Sequence, residues 1–428
     1  MNARPNKMQI NVVGVNHSTT PVEVREKLAV SNNQIANALL MLRKHVEQGM
    51  ILSTCNRTEV YSIARTARTS VSKGMEFLRD WAKTSDAELL PYIYHYENEE
   101  AVRHLFHVAA GLDSMIIGEF EILGQVKQRL EDAEGAGMVK QPLRNLFHHA
   151  LQVGRRVREK TGISKNALSV SSVAVSLAAQ AIGDLSKCKA LVIGTGEAGR
   201  LVAKALKEKG IWQITTTSRS QENASALAIA LGGHSINISN LSAELATHDI
   251  VISCTGAPHT ILDRQTVEAA TETRDSRPLV IIDIAVPRDV EPEVRQIKGI
   301  VLCDIDDLTH VSELNRKQRE REIHSAMRII DSEMKRFASW WQTTEAEPII
   351  SSLTNKAENI RRVQLDRTLK KLPNLSPKEQ ESLEAMTKAI VQKLLHNPIQ
   401  CLKENANAKE DYINLVRELF QLDTKGHE

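Results

Sequence analysis

The 428-residue chain is poor in aromatics, 4% of its residues, and has only five cysteines, at positions 55, 188, 254, 303 and 401. They are odd in number, widely spaced and never paired as Cys-x-x-Cys, which argues against a disulfide framework and against a metal cage; no metal is expected. No apolar run approaches the roughly 20 residues of a membrane-spanning helix. The opening MNARPNKMQ lacks the apolar stretch of a secretory signal. Internal repeats and low-complexity tracts are also missing, and the net charge is only +2. These absences predict a cytoplasmic protein with reduced thiols and no membrane association.

What is present is an ordinary globular balance, 42% hydrophobic and 25% charged. The length predicts two to four domains. Residues 1–160 mix short strands (Ile10–Val15, Met50–Ser53, Glu59–Ala64) with helical spacing over Gln34–Val46. Residues 161–305 open on a small-residue helix, Val170–Ile182. Strands at Ala190–Ile193, Gln213–Thr217, Ile250–Cys254, Leu279–Ile284 and Ile300–Cys303 then alternate with helices, the pattern of a doubly wound parallel sheet. Residues 306–343 contain no Gly or Pro and read as one linker helix of about 55 Å. Its second half carries an apolar seam from Ile323 to Trp341. After Pro348, residues 344–428 read as a helical domain. Ser376-Pro377-Lys378-Glu379 there forms a capping box ahead of the stripe Leu383, Met386, Ile390 and Leu394. A strut leading to such stripes favours a homodimer over a purely internal core. The fold class is thus α/β multidomain: an N-terminal α+β domain, a Rossmann-like domain, a long linker helix and a C-terminal helical dimerisation domain.

Two features carry chemistry. Ser53-Thr54-Cys55-Asn56-Arg57-Thr58-Glu59 sets a thiol beside a guanidinium on a tight connection between strands. An ordinary thiol is only about 3% ionised at neutral pH, and a neighbouring cation raises that fraction. Cys55 is either an activated nucleophile or a small buried hydrophobe. Gly194-Thr195-Gly196-Glu197-Ala198-Gly199 follows a strand and opens a helix, the context that makes GxGxxG a dinucleotide signature. The next strand ends in Thr217-Ser218-Arg219-Ser220 with no carboxylate, so Ser218 and Arg219 suit a 2′-phosphate and NADPH over NADH. Asp283 reads equally as a polar strand end or a site residue. From Gly135 to Val170, seven cations face one anion, a local +6 that fits either a polyanion such as RNA or a solvated helix face. A reactive thiol with a nicotinamide domain implies a thioester that hydride reduces to an aldehyde.

The chain resembles the glutamyl-tRNA reductases through GVNHSTTPVEVRE (14–26), ILSTCNRTEVY (51–61), HLFHVAAGLDSMIIGE (104–119), ILGQVK (122–127), GTGEAG (194–199) and VIIDIAVPRDVEP (280–292). The resemblance implies that Cys55 takes the glutamyl group from tRNA(Glu) and that His104 acts near the thioester. It places glutamate binding on Thr54, Asn56, Arg57, Ser114, Glu119, Phe120, Glu121 and Gln125, with Arg57 reading the glutamate carboxylate. It further implies a V-shaped homodimer and transfer of the product, glutamate 1-semialdehyde, to its aminomutase. One segment departs from the family: Gly118-Glu119-Phe120-Glu121 stands where Gly-Glu-Pro-Gln is usual. An unpaired Glu121 facing the substrate carboxylate would weaken binding, unless an arginine neighbours it or it points outward. Two other readings remain at this point. One is an NADP-dependent dehydrogenase of a free small molecule, for which Cys55 is dispensable. The other is a non-catalytic dimeric tRNA-binding protein, which would consume no NADPH.

Overall fold

The computed structural model describes residues 9–64, 67–164, 169–272, 274, 277–308, 319–405 and 410–422. Gln9–Asp331 forms one compact unit and Ser332–Glu428 another.

The first sheet holds β1 (Gln9–Asn16), β2 (Gly49–Ser53), β3 (Arg57–Ala64) and β4 (Tyr94–Glu97) in the antiparallel order β2-β3-β1-β4. The apolar run in β1 makes it an inner strand, buried along nearly its whole length. The helices Ala67–Ala82 and Asn98–Ala110 pack against it. β2 and β3 form a hairpin closed by Thr54–Asn56, so the predicted thiol turn is a real tight connection. Pairing of Asn16 with Arg57 then brings the end of β1 beside that turn.

The second sheet is wholly parallel, with β5 (Lys189–Ile193), β6 (Gln213–Thr217), β7 (His234–Ser235), β8 (Ile250–Ser253), β9 (Leu279–Asp283) and β10 (Ile300–Cys303) in the order β10-β9-β8-β5-β6-β7. The order reverses at β5, which puts the glycine-rich turn at the switch point where doubly wound sheets bind dinucleotides. The helix Val170–Ile182 opens on a reciprocal cap between Ser169 and Ser172. Its apolar face joins Val192, Ile252, Ile282 and Ile305 in a core that also takes in Val22, Met115 and Ile116 from the first domain.

The linker differs from expectation. Ile305–Leu308 is a single 3-10 turn, and residues 309–318 of the expected strut lie outside the described residues. The long helix starts at Glu320 and runs to Lys371, 52 residues or roughly 78 Å. It passes straight through position 348, where Pro was expected to end it. A proline inside a helix removes one backbone hydrogen bond and crowds the preceding turn, a cost of about 3 kcal/mol that this 52-residue helix absorbs over its length. The helix Pro377–Asn405 likewise carries Pro398 inside it. Its predicted cap is present: Glu379 Oε2 accepts from the Ser376 amide at 2.8 Å and hydroxyl at 2.6 Å. Met386, Ile390 and Leu394 are 51%, 49% and 70% exposed in the single chain. Among the described residues no helix is long and apolar enough to cross a membrane.

The basic stretch is less free than its sequence implies. Lys140 pairs with Glu47 and Arg144 with Glu134, while Arg158 turns inward onto the carbonyls of Ala109, Gly154 and Glu119. Lys165 lies outside the described residues.

Candidate active site

The alternation of β3 places Arg57, Glu59 and Tyr61 on one face, and all three are fully buried. Arg57 Nη1 donates to Glu59 Oε1 and Asp113 Oδ2, each at 2.8 Å, and Nη2 donates to the Asp113 carbonyl. Burial opposes the charge of Arg57, but Glu59 and Asp113 more than compensate and hold the guanidinium above its ordinary value. Only its Nε is buried without a partner.

Glu59 is the hub of this layer. Besides Arg57, it accepts from Tyr61 at 2.6 Å, Tyr94 at 2.5 Å and His104 Nε2 at 2.8 Å. Burial works to raise its pKa, yet His104 and Arg57 keep its carboxyl well below the usual range. Because Glu59 is ionised, the His104 nitrogen facing it carries the proton. The His104 ring packs against both Tyr94 and Tyr96, with centroids 5.5 and 5.0 Å away. His104 is thus held to Glu59.

Cys55, in the turn that leads into β3, is half-buried and packed against the core shared with the second domain. Its thiol is not activated in the way the sequence predicts. Burial, then Glu119 and Glu121, push it up to about 12, and only Arg25 and a backbone hydrogen bond oppose them. Arg25, and not Arg57, is the cation that acts on it. The turn itself is well tied: the Thr54 amide donates to the Arg57 carbonyl at 2.8 Å, and Thr54 Oγ1 accepts from the Asn56 amide at 3.1 Å. Asn56 is buried, and its side-chain oxygen has no partner.

The remaining substrate candidates gather on the same side. Ser114 is buried and hydrogen-bonded to Glu119. Burial raises the Glu119 carboxyl, against the pull of Ser114, Arg57 and Arg158. Phe120 is 62% exposed at the N-cap of the helix Glu121–Gly135. Glu121 is half-buried and one of its oxygens has no partner. Burial, with Glu119 and Glu197 nearby, pushes it up to about 7. No arginine is among the groups that act on Glu121, so the first remedy foreseen for it does not apply. Gln125 follows one helical turn later, also half-buried.

Several residues here escaped the sequence reading. Arg25 Nη1 donates to the Cys55 carbonyl at 2.5 Å. The His17 amide donates to the Asn56 carbonyl at 2.8 Å, and burial followed by Arg57 lowers its imidazole to about 4. Glu59, Asp113 and Tyr94 complete the set. The available signal was the pairing of β1 with β3, which brings GVNHS onto STCNR.

At the second site, Gly194 has φ +112°, and its amide donates to the Thr217 carbonyl at 2.9 Å. A Cβ on Gly199 would lie 2.0 Å from the Gly194 carbonyl oxygen, so only glycine lets helix and turn approach. A Cβ on Gly196 would meet open space, which leaves room for a ligand. Thr195 and Ala198 are half-buried, and Glu197 is exposed in the first turn of the helix Glu197–Glu208. The Thr217 hydroxyl is buried with no partner. Ser218 donates to the Ser220 carbonyl at 2.7 Å, and Arg219 is exposed at the end of β6. These residues fit a dinucleotide: open space over the turn, a helix N-terminus and an unused hydroxyl. Asp283 resolves as a structural strand end, accepting from the amides of Ala285, Asp289 and Val290 at 2.8–3.0 Å. Burial and then Asp289 raise it to about 8.

Residues 13–161 match the family model of the glutamyl-tRNA(Glu) reductase N-terminal domain. Residues 176–311 match that of shikimate/quinate 5-dehydrogenase, and 325–422 that of the glutamyl-tRNA(Glu) reductase dimerisation domain. A glutamyl-tRNA reductase of Carboxydothermus hydrogenoformans is 41% identical over 98% of this chain and 94% of its own. One of Bacillus subtilis is 38% identical over 97% and 92%. The solved structure of glutamyl-tRNA reductase from Methanopyrus kandleri is 32% identical, covering 97% of this chain and 99% of its own with a TM-score of 0.51. With both halves of its chemistry in place and its full length aligned to these relatives, the chain belongs to the glutamyl-tRNA reductase family.

Proposed function

We propose that this protein reduces the glutamyl ester of tRNA(Glu) to glutamate 1-semialdehyde through a thioester on Cys55, the entry step of tetrapyrrole synthesis. The observation that carries the reading is the thiol turn, tied to the buried Arg57 through the Thr54 amide and packed through Cys55 against the core that includes the cofactor domain. Residues 1–160 bind the glutamyl group, 161–305 hold NADPH, and 306–428 supply the linker and the homodimer contact.

Cys55 rests as a thiol, so acylation needs both a change of field and a proton acceptor. The α-ammonium of the glutamyl group, set beside Glu119 and Glu121, offsets the two carboxylates that hold the thiol up. Arg57 Nε, the unused donor of its guanidinium, faces the substrate carboxylate. Thr54, Asn56, Ser114 and Gln125 fix the rest of the glutamyl group, with Phe120 at the rim. Glu121 accepts the thiol proton through its unpartnered oxygen. The sulfur then bonds to the carbonyl carbon, the ester C–O bond breaks, and Glu121 passes the proton to the 3′ oxygen of the leaving tRNA, returning to its carboxylate form. His104 and Tyr94 keep Glu59 paired throughout, so this buried layer does not reorganise. When bound, the nicotinamide supplies the hydride that turns the thioester into the aldehyde and returns the sulfur. Gly194, Thr195, Gly196, Glu197, Ala198 and Gly199 shape its pyrophosphate site, and Ser218 and Arg219 select the 2′-phosphate. The reactive aldehyde passes to its aminomutase.

Single-turnover reaction with labelled glutamyl-tRNA tests the reading. Wild type should form a glutamyl adduct without NADPH and convert it to aldehyde when NADPH is added. Cys55→Ser should form neither. Aldehyde from the serine variant would make Cys55 structural.

A further inference from the structure

Arg25 belongs to the helix Val22–Leu28 of the first domain and is 2% exposed. Its guanidinium is spent on three anchors. Nε donates to the Thr20 carbonyl at 3.1 Å, Nη1 to the Cys55 carbonyl at 2.5 Å, and Nη2 to Asp306 Oδ1. Asp306 comes from the Ile305–Leu308 turn that follows the last strand of the cofactor domain. Its other oxygen accepts from the Val22 amide at 3.2 Å, at the start of the same helix. Ile305 and Leu308, on either side, lie in the core against which Cys55 packs. A second pair joins the same two domains nearby: Arg288 forks onto Glu26 at 2.9 and 3.0 Å and reaches Glu23 at 2.9 Å. Arg288 touches neither Arg25 nor the thiol turn in this set of bonds.

One guanidinium therefore holds the backbone of the candidate nucleophile with one arm and the exit of the cofactor domain with another. We propose that Arg25 is a positioning residue for Cys55, set in its pose by Asp306, so that the thiol is presented for acylation only while the cofactor domain is seated against the first domain. This rests on the thioester reading above. The consequence is chemical. A thioester formed with the cofactor domain seated meets hydride and yields aldehyde and thiol. One formed without it meets water and yields glutamate and thiol. Misplacing a nucleophile by about 1 Å costs roughly a hundredfold in rate, so the loss of one anchor of the fork is measurable.

The test uses the full-length protein with Asp306→Ala, Asp306→Glu and Arg288→Met. With labelled glutamyl-tRNA, Asp306→Ala should acylate Cys55 at least ~10-fold more slowly without NADPH. With NADPH it should give a lower ratio of aldehyde to glutamate, a ratio that does not depend on how much of the protein is folded. Asp306→Glu should recover both. Arg288→Met, which keeps the Arg25–Asp306 fork, should leave both NADPH-free acylation and the product ratio within about twofold of wild type. In parallel, iodoacetamide labelling mapped by peptide mass should find Cys55 faster in Asp306→Ala, with buried Cys254 unchanged as the reporter of an intact fold. Wild-type acylation and product ratio in Asp306→Ala would overturn the coupling. So would unchanged Cys55 labelling. If wild type itself takes no glutamyl group, the proposed activity fails, and the labelling arm still decides the coupling by itself.

Discussion

A thiol pushed up to about 12 leaves roughly one thiolate in 10⁵ molecules at pH 7. Behind burial and Glu119, Glu121 is the next group that holds the thiol up, a carboxylate where the resemblance leads one to expect an amide. Its folded pKa, about 7, lies above its ordinary 4.5. Between those values the folded state holds a proton that the unfolded state has lost, so its contribution to stability falls as pH rises through this window. Glu121→Gln should therefore stabilise the protein at pH 8 by about 1–2 kcal/mol, with solvent screening allowed for, and by little at pH 5. Thermal melts at the two pH values check this. The same variant should slow acylation of Cys55 and remove the limb near pH 7 from its rate profile. An unchanged profile would show that the thiol proton goes elsewhere. The cysteine turn itself was legible, since an apolar run ending in Ser-Thr-Cys-Asn is local information. Its electrostatics were not. Arg57 is two residues away in sequence, yet the cation that acts on the thiol is Arg25 from a separate helix, and a contact between such separate elements leaves no local pattern.

Among the elements, β5, its glycine turn and the following helix were the most readable, because the three glycines stand in one six-residue motif directly after an apolar strand. The end of β6 is equally local. Arg219 is exposed there beside Ser218, with no carboxylate at the strand end. Arg219→Asp should weaken NADPH and improve NADH, moving the ratio of their kcat/KM values toward NADH by at least ~10-fold. An unmoved ratio would assign the 2′-phosphate to other residues. The helix Glu320–Lys371 was misread at its C-terminal end because proline is a strong local signal, yet a long helix absorbs its cost. The short strand β4 went unread because four residues, Tyr94–Glu97, give too brief an alternation to register, although Tyr94 is one of the hydroxyls on Glu59.

At the scale of the whole molecule, the stripe of Met386, Ile390 and Leu394 stands open in a segment that matches the family's dimerisation domain. Ile390→Glu with Leu394→Glu should convert a dimer to monomers in light scattering and leave the monomer's helix content unchanged, since both side chains are exposed in the single chain. A dimer that persists would place the contact on another face. The seam between the first two domains has a consequence for how such a protein can change over evolutionary time. Family models divide the chain between residues 161 and 176, and the second module resembles dehydrogenases of other substrates. That division suggests parts that recombination could exchange. Yet Val22, Met115 and Ile116 share one core with Val173, Ile282 and Ile305, and Arg25 reaches across it to Asp306. A crossover in the interval would deliver a nucleotide-binding fold without the surface that seats the cysteine turn. The two modules can drift only together, each substitution at the seam constraining the next on the other side.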